Sequence, residues 1–187
     1  MRIVAGTLRG RPIAAPKHEG LRPTSDRVRE SLFNVLAHGI EGFTLAGARV
    51  ADLFAGTGAL GLEALSRGAA FCLFIEESAD ARALIRANIE TLQLTGATRI
   101  FRRSAIDLGP AGTIAPFSLA FLDPPYGKGL GEQALSSLAS GGWLVPGAIA
   151  VVEERAGTAV DLPADFQEFD KRRYGATEIR IARYQPA

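Results

Sequence analysis

Some residue types are scarce in this chain of 187 residues. It has one cysteine, one methionine, one tryptophan and two histidines. A lone Cys72 excludes an internal disulfide and points to a reducing compartment. Its place within an apolar run reads as a small buried side chain. His18 and His38 stand apart, so there is no Cys/His cluster to hold zinc and no metal is expected. No apolar run reaches the roughly 18 residues a membrane span needs. The opening Met1-Arg2-Ile3-Val4-Ala5-Gly6 lacks the architecture of a signal peptide. Together these predict a cytoplasmic protein without a membrane partner.

The chain has one ordinary globular domain's worth of apolar residues, 47%. Net charge is only +1, but it is unevenly spread. Residues 1–36 carry seven basic and three acidic side chains, a net +4, which leaves −3 for the rest. A basic N-terminal segment on a near-neutral body predicts an anionic partner docking there.

Residues 2–14 read as two short strands, 3–5 and 12–14, around a loop with two glycines, Arg9 and Arg11. Such a loop can offer backbone N–H groups and guanidinium forks to phosphate. Thr24 or Ser25 then caps a helix over 26–37, with Val28, Leu32, Val35 and Leu36 as its apolar stripe and Arg29 mostly off it. From residue 49 onward strands alternate with helices. Strands are expected at 49–54, 69–75, 98–103, up to 123, and 148–153, with helices at 59–67, 79–92 and 130–139. The rhythm implies an α/β fold with a mostly parallel sheet covered on both faces. Two closing strands, 166–173 and 176–184, depart from it and predict an antiparallel strand at the sheet edge. The boundary drawn is 1–38, an N-terminal hairpin and helix extension serving as RNA and cofactor lid, against 39–187, the catalytic domain.

Two motifs carry chemistry. The first, Asp52-Leu53-Phe54-Ala55-Gly56-Thr57-Gly58, leads from a strand into a helix and satisfies G-x-G-x-x-G with Gly61. Glycines let a ligand approach the backbone, and the helix start offers unpaired N–H groups. Glu76, closing the next strand, can accept from both hydroxyls of a ribose. That fits NAD and S-adenosylmethionine alike. Asp52 leans toward the second, because a carboxylate suits the methionine ammonium better than a pyrophosphate. It could equally anchor the glycine loop by accepting its N–H groups.

The second is Asp123-Pro124-Pro125-Tyr126 after the apolar run 117–122. The prolines end the strand, since neither can donate to a ladder. A nucleobase exocyclic amine is a poor nucleophile because its lone pair is delocalised into the ring. Methylating it needs acceptors for both N–H groups, and the Asp123 carboxylate and the Pro124 carbonyl are two. Pro125 stiffens the turn. Tyr126 can stack on the base.

These motifs resemble class I AdoMet-dependent amino-methyltransferases. Gly6-Thr7-Leu8-Arg9-Gly10-Arg11, residues 22–30 with Phe33-Asn34, and residues 61–68 narrow the resemblance. Together they resemble the bacterial small-subunit ribosomal RNA guanine-N2 methyltransferases of the RsmD family, along nearly the whole chain. The resemblance implies a Rossmann-like seven-stranded sheet whose last strand is antiparallel. It implies S-adenosyl-L-methionine as cofactor and 16S rRNA as partner, within the small subunit or an assembly intermediate, with the protein a monomer. Carried over, Ala55, Gly56 and Gly58 line the methionine end and Glu76 binds ribose. Ser104 and Ala105 edge the adenine, and Asp123-Pro124 face both cofactor and amine. Thr24 and Arg22 would close over the methionine carboxylate. Arg9, Arg11, Arg22, Arg29, Arg172 and Arg173 are the RNA-contacting set. Many relatives carry an acid or Asn where this chain has Ser104, which leaves the adenine amine to a hydroxyl, the backbone or water. Competing readings are an adenine-N6 or cytosine-N4 methyltransferase of DNA or RNA, an NAD(P) oxidoreductase, and a non-catalytic ribosome assembly factor.

Overall fold

The computed structural model describes residues 1–16 and 25–187. Thr24 and Arg22 therefore lie outside the described residues. The elements are α1 (Asp26–His38), β1 (Arg49–Leu53), α2 (Ala59–Ser66), β2 (Phe71–Ile75), α3 (Ala79–Leu92), β3 (Thr98–Phe101), β4 (Phe117–Leu122), α4 (Leu130–Ser140), β5 (Leu144–Arg155), β6 (Phe166–Tyr174) and β7 (Thr177–Tyr184). They build a seven-stranded sheet in the order β3-β2-β1-β4-β5-β7-β6. Strands β1 to β5 run parallel, and β7 is antiparallel to both neighbours. This is the Rossmann-like architecture expected.

One detail of the expectation changes. The antiparallel strand is not at the edge: β7 inserts between β5 and β6, and β6 is the edge strand. The reason is burial. β7 carries Ile179, Ile181 and Ala182 to the core, whereas β6 is exposed along most of its length. The more apolar partner of the hairpin takes the inner place.

Strand alternation divides the core in two. On one face Val50, Cys72, Phe74, Leu119 and Phe121 pack against Leu32 and Phe33 of α1, Leu62 of α2 and Ile85 of α3. On the other, Ala51, Leu53, Leu73, Ala120 and Leu122 meet Ala134, Leu135 and Leu138 of α4, with Trp143. Cys72 is buried, as expected of a small apolar side chain. No helix among the described residues is long and apolar enough to cross a membrane.

The N-terminal segment differs more from expectation. It is a hairpin joined by a single antiparallel bridge, Arg2 with Pro12, rather than two regular strands. The cause is its docking. Val4 N and Ala5 N donate not to a partner strand but to the Glu63 carboxylate of α2, at 2.8 and 3.0 Å. Gly6, at φ +84°, rests so closely on Ser66 that any Cβ would collide with its carbonyl. Arg29 is a second correction. It lies in the core, fully buried, donating to Asp26 Oδ1 and to the Arg2 carbonyl. Its guanidinium joins hairpin to helix and does not face solvent as an RNA contact would. Ser25 supplies the side-chain cap of α1, accepting from Val28 N. Strand β2 starts two residues late, because Gly68 N and Ala69 N still bond carbonyls of α2.

Candidate active site

Register decides what meets at the sheet's C-terminal edge. Ile75, Leu53, Leu122 and Val152 form one row across β2, β1, β4 and β5. The residues just beyond it are Glu76, Phe54, Asp123 and Glu153. The sheet order reverses between β1 and β4, and in open parallel sheets ligands bind at that crevice. The glycine turn follows β1 and the Asp-Pro-Pro-Tyr turn follows β4, so the two sequence motifs share one crevice. Ser104 and the buried Ala105 follow β3, next along the same edge.

The glycine turn is wired to its neighbours before any ligand arrives. Gly56 and Gly58 both have positive φ, +57° and +77°. Gly56 N donates to Glu76 Oε2 at 3.0 Å, while Glu76 Oε1 accepts from Ser78 N at 2.8 Å. The carboxylate expected to hold ribose thus lies against the glycine turn. Gly61 is glycine for a different reason. A Cβ there would stand 2.5 Å from both Cys72 Sγ and a Phe74 ring carbon, so it sets how closely α2 can pack on the sheet. Of the two roles open to Asp52, the anchoring one is visible: its Oδ2 accepts from Gly61 N at 2.9 Å. Phe54 has φ +56°, in the left-handed region a bulky side chain seldom adopts. Nothing in the sequence signals that strain, which lies between Asp52 and the turn.

On the acceptor side, Pro124 is buried and Asp123 half-buried. Tyr126 donates its hydroxyl to Glu153 Oε1 at 2.5 Å and lies 3.3 Å from Thr177 Oγ1. The ring is held by the sheet and keeps part of its surface open. Gly127 N donates to both oxygens of Glu154, at 3.0 and 3.1 Å. Sequence reasoning missed Glu153 and Glu154. The signal was available, because two acids closing a buried strand are the same cue that singled out Glu76.

These acids crowd one another. Burial first, then the Glu153, Asp52 and Glu154 charges, push the Asp123 carboxyl well above its ordinary range. Burial likewise pushes Asp52 up to about 8, with Glu76 adding to the rise and the Gly61 N–H opposing it. The Tyr126 hydroxyl is raised by burial and by its bond to Glu153. No group of acids, His or Cys among the described residues could hold a metal ion. A crevice lined by crowded carboxyls favours a cationic ligand over an anionic one.

The predicted RNA contacts are scattered. Arg172 and Arg173 are exposed on edge strand β6. Arg9 is exposed on the hairpin, but Arg11 donates to the Thr91 carbonyl near the end of α3, at 2.8 Å. Thr7 N and Leu8 N bond Ser66, the last residue of α2. The hairpin loop therefore sits a helix length, roughly 12 Å, from the glycine turn where α2 begins. Asn88, which the sequence did not single out, connects the two regions. It is buried, bonds Ala14 in both directions and donates to the Thr57 carbonyl in the glycine turn at 3.0 Å.

The known proteins to which this chain is similar form a coherent set. The family model described as Conserved hypothetical protein 95 matches residues 1–183. Ribosomal RNA small subunit methyltransferase D of Escherichia coli K12 is 39% identical over 184 residues, 97% of this chain and 88% of the relative. The protein of that name from Haemophilus influenzae is 35% identical over 183 residues, 97% and 92% of the two chains. The solved structure of the Escherichia coli methyltransferase yhhF superposes with a TM-score of 0.84 at 35% identity, covering 99% of this chain and 98% of that one. TrmN from Thermus thermophilus, at 19% identity and a TM-score of 0.68, shares the fold. With the hairpin, the glycine turn and the Asp-Pro-Pro-Tyr turn all inside the matched span, this chain belongs to the RsmD family of ribosomal RNA small subunit methyltransferases.

Proposed function

We propose that this protein transfers a methyl group from S-adenosylmethionine to the exocyclic N2 amine of one guanine in 16S rRNA, within the small subunit or an assembly intermediate. The observation that carries the reading is the placing of Asp52 and the glycine turn beside Asp123 on adjacent parallel strands, in one crevice of crowded carboxyls. A sulfonium cofactor supplies an electrophilic methyl group there and, with its ammonium, two positive charges.

The chain's own residues do the rest. Glu76 holds the ribose hydroxyls, Ala55, Gly56 and Gly58 present backbone to the methionine end, and Ser104 and Ala105 border the adenine. Burial and the neighbouring acids hold the Asp123 carboxyl well above its ordinary range, and positive charge lying against it would lower it again and favour the acceptor form. Asp123 and the Pro124 carbonyl then take the two N–H groups of the amine. This draws the nitrogen toward tetrahedral geometry and aims its lone pair along the crevice. Methyl transfer would form the N–C bond as the S–C bond breaks and would leave the nitrogen with one proton too many. The Asp123 carboxylate is positioned to receive it and pass it to solvent. Tyr126, its hydroxyl tied to Glu153, offers a fixed ring against the base.

The names of the Escherichia coli and Haemophilus influenzae relatives support rRNA of the small subunit as the substrate. The acceptor geometry supports an exocyclic amine, and the choice of guanine N2 rests on the family resemblance. Mass mapping of modified nucleosides in rRNA from cells lacking the protein tests all three. One N2-methylguanosine should disappear. Loss of N6-methyladenosine or N4-methylcytosine instead would replace the base, and an unchanged 16S pattern would overturn the function.

A further inference from the structure

We infer that the cleft between α1 and the edge strand β6 receives the RNA backbone flanking the target base. This rests on the reading of the substrate as RNA and adds where it docks. The cleft has a volume of about 540 Å³. One wall is a polar stripe of α1, in which Arg27, Ser31, Asn34 and His38 follow at spacings of four, three and four, one helix face. The other wall is Arg172 of β6. Lys171 and Arg173 are exposed on the same strand.

Three features point to a polyanion. Basic side chains from two separate elements converge on one groove, with Glu30 as the acid in its lining and Asp170 bonded to Arg172 at 3.0 Å. Among the described residues, Val35 is the large apolar side chain in its lining, whereas a protein-binding groove has a desolvated apolar centre. Most telling is the connection to the acceptor turn. Ser31 Oγ lies 2.7 Å from the Tyr174 hydroxyl. Tyr174 pairs with Thr177 across the β6–β7 hairpin. Thr177 Oγ1 in turn lies 3.3 Å from the Tyr126 hydroxyl. The groove thus reaches the same hairpin end that steadies Tyr126, so a strand with its base at Tyr126 can continue directly into it. The glycine-arginine loop of the N-terminal hairpin is not so placed, since it rests on the far end of α2.

The test combines Arg27→Ala, His38→Ala and Arg172→Ala, all at exposed positions. Binding is measured over a range of salt, on a small-subunit rRNA fragment and on assembled small subunits. The triple variant should lose roughly tenfold in RNA affinity, and its log–log salt slope should be shallower by about 0.7 for each phosphate that is no longer neutralised. Its KM for RNA should rise while kcat and the calorimetric affinity for S-adenosylmethionine hold. Asn34→Glu, which adds a carboxylate to the groove and removes no cation, should weaken RNA binding as well. Unchanged affinity and slope in both variants would remove the cleft from the footprint and leave the methylation reading standing. Weaker binding to subunits alone, at unchanged slope, would assign the groove to a ribosomal protein and overturn the proposal. A wild-type protein that binds RNA through this cleft yet forms no N2-methylguanosine would sink the methylation reading alone.

Discussion

Glu63 of α2 and Asp52 of β1 are both buried carboxylates, and the fold treats them in opposite ways. Glu63, on the side facing the hairpin, is fully buried and accepts from Val4 N, Ala5 N and Arg67 Nε. Arg29 Nη1 stands 3.9 Å away as a second cation, and Arg67 also lies over the Phe33 ring. Asp52, on the sheet side, accepts from Gly61 N and otherwise feels the Glu76 charge; it raises Asp123 in turn. A buried charge matched by N–H groups and guanidinium pins structure together. One left among like charges destabilises the empty fold and is relieved by a cation. On the proposed function, the first site serves folding and the second ligand binding.

That contrast can be broken in three ways, and the largest expected effect is on turnover. Asp123→Ala should lower methyl transfer by about a thousandfold, with calorimetry showing S-adenosylmethionine still bound. Turnover near wild type would return Asp123 to a turn-capping role. Next comes Glu63→Ala, which takes the carboxylate from Arg67 and leaves Asp26 as the carboxylate on the buried Arg29. It should cost about 3–5 kcal/mol in urea unfolding, and the protein that remains folded should bind cofactor normally. Intact stability with lost cofactor affinity would invert the assignment of the two sites.

The smallest effect concerns pH. The folded protein keeps a proton on Asp52 that the unfolded chain releases near the ordinary value of 3.8, and releases its own near about 8. Its contribution is therefore present in full below about 4 and is lost as pH rises toward about 8. Melting temperature should decline across that window, and Asp52→Asn should flatten the decline. Cofactor binding should release protons, because positive charge in the crevice lowers the same carboxyls. A melting curve flat in pH, or proton uptake on binding, would contradict the crowding of acids at this edge.

The fold was largely legible because its signals are local. Strands β1, β2 and β4 are apolar runs cut off by the glycine turn, by Glu76 and by two prolines, while β5 runs on through its paired acids to Arg155. Helix α3 appears over 79–92 as its capping Ser78 and apolar spacing predict. What misled were residues whose partners lie far along the chain. Arg29 reads as a surface cation until Asp26, Arg2 and Glu63 surround it. Arg11 reads as a phosphate fork until the end of α3 supplies Thr91, 80 residues away.

The Asp-Pro-Pro-Tyr turn marks the division. Composition and order alone determined that a carboxylate, a carbonyl and a ring would stand together at the end of a parallel strand, because two prolines stop a strand wherever they occur. They also determined that a glycine turn and an acid would close the first two strands of the sheet domain. Only the tertiary structure decided that β1 and β4 lie side by side, so that the turns share a crevice. It alone joined Tyr126 to Glu153 and Thr177, and opened the β6 edge toward α1. Those outcomes depend on strand order and on pairings between distant residues, and neither is encoded in a local spacing.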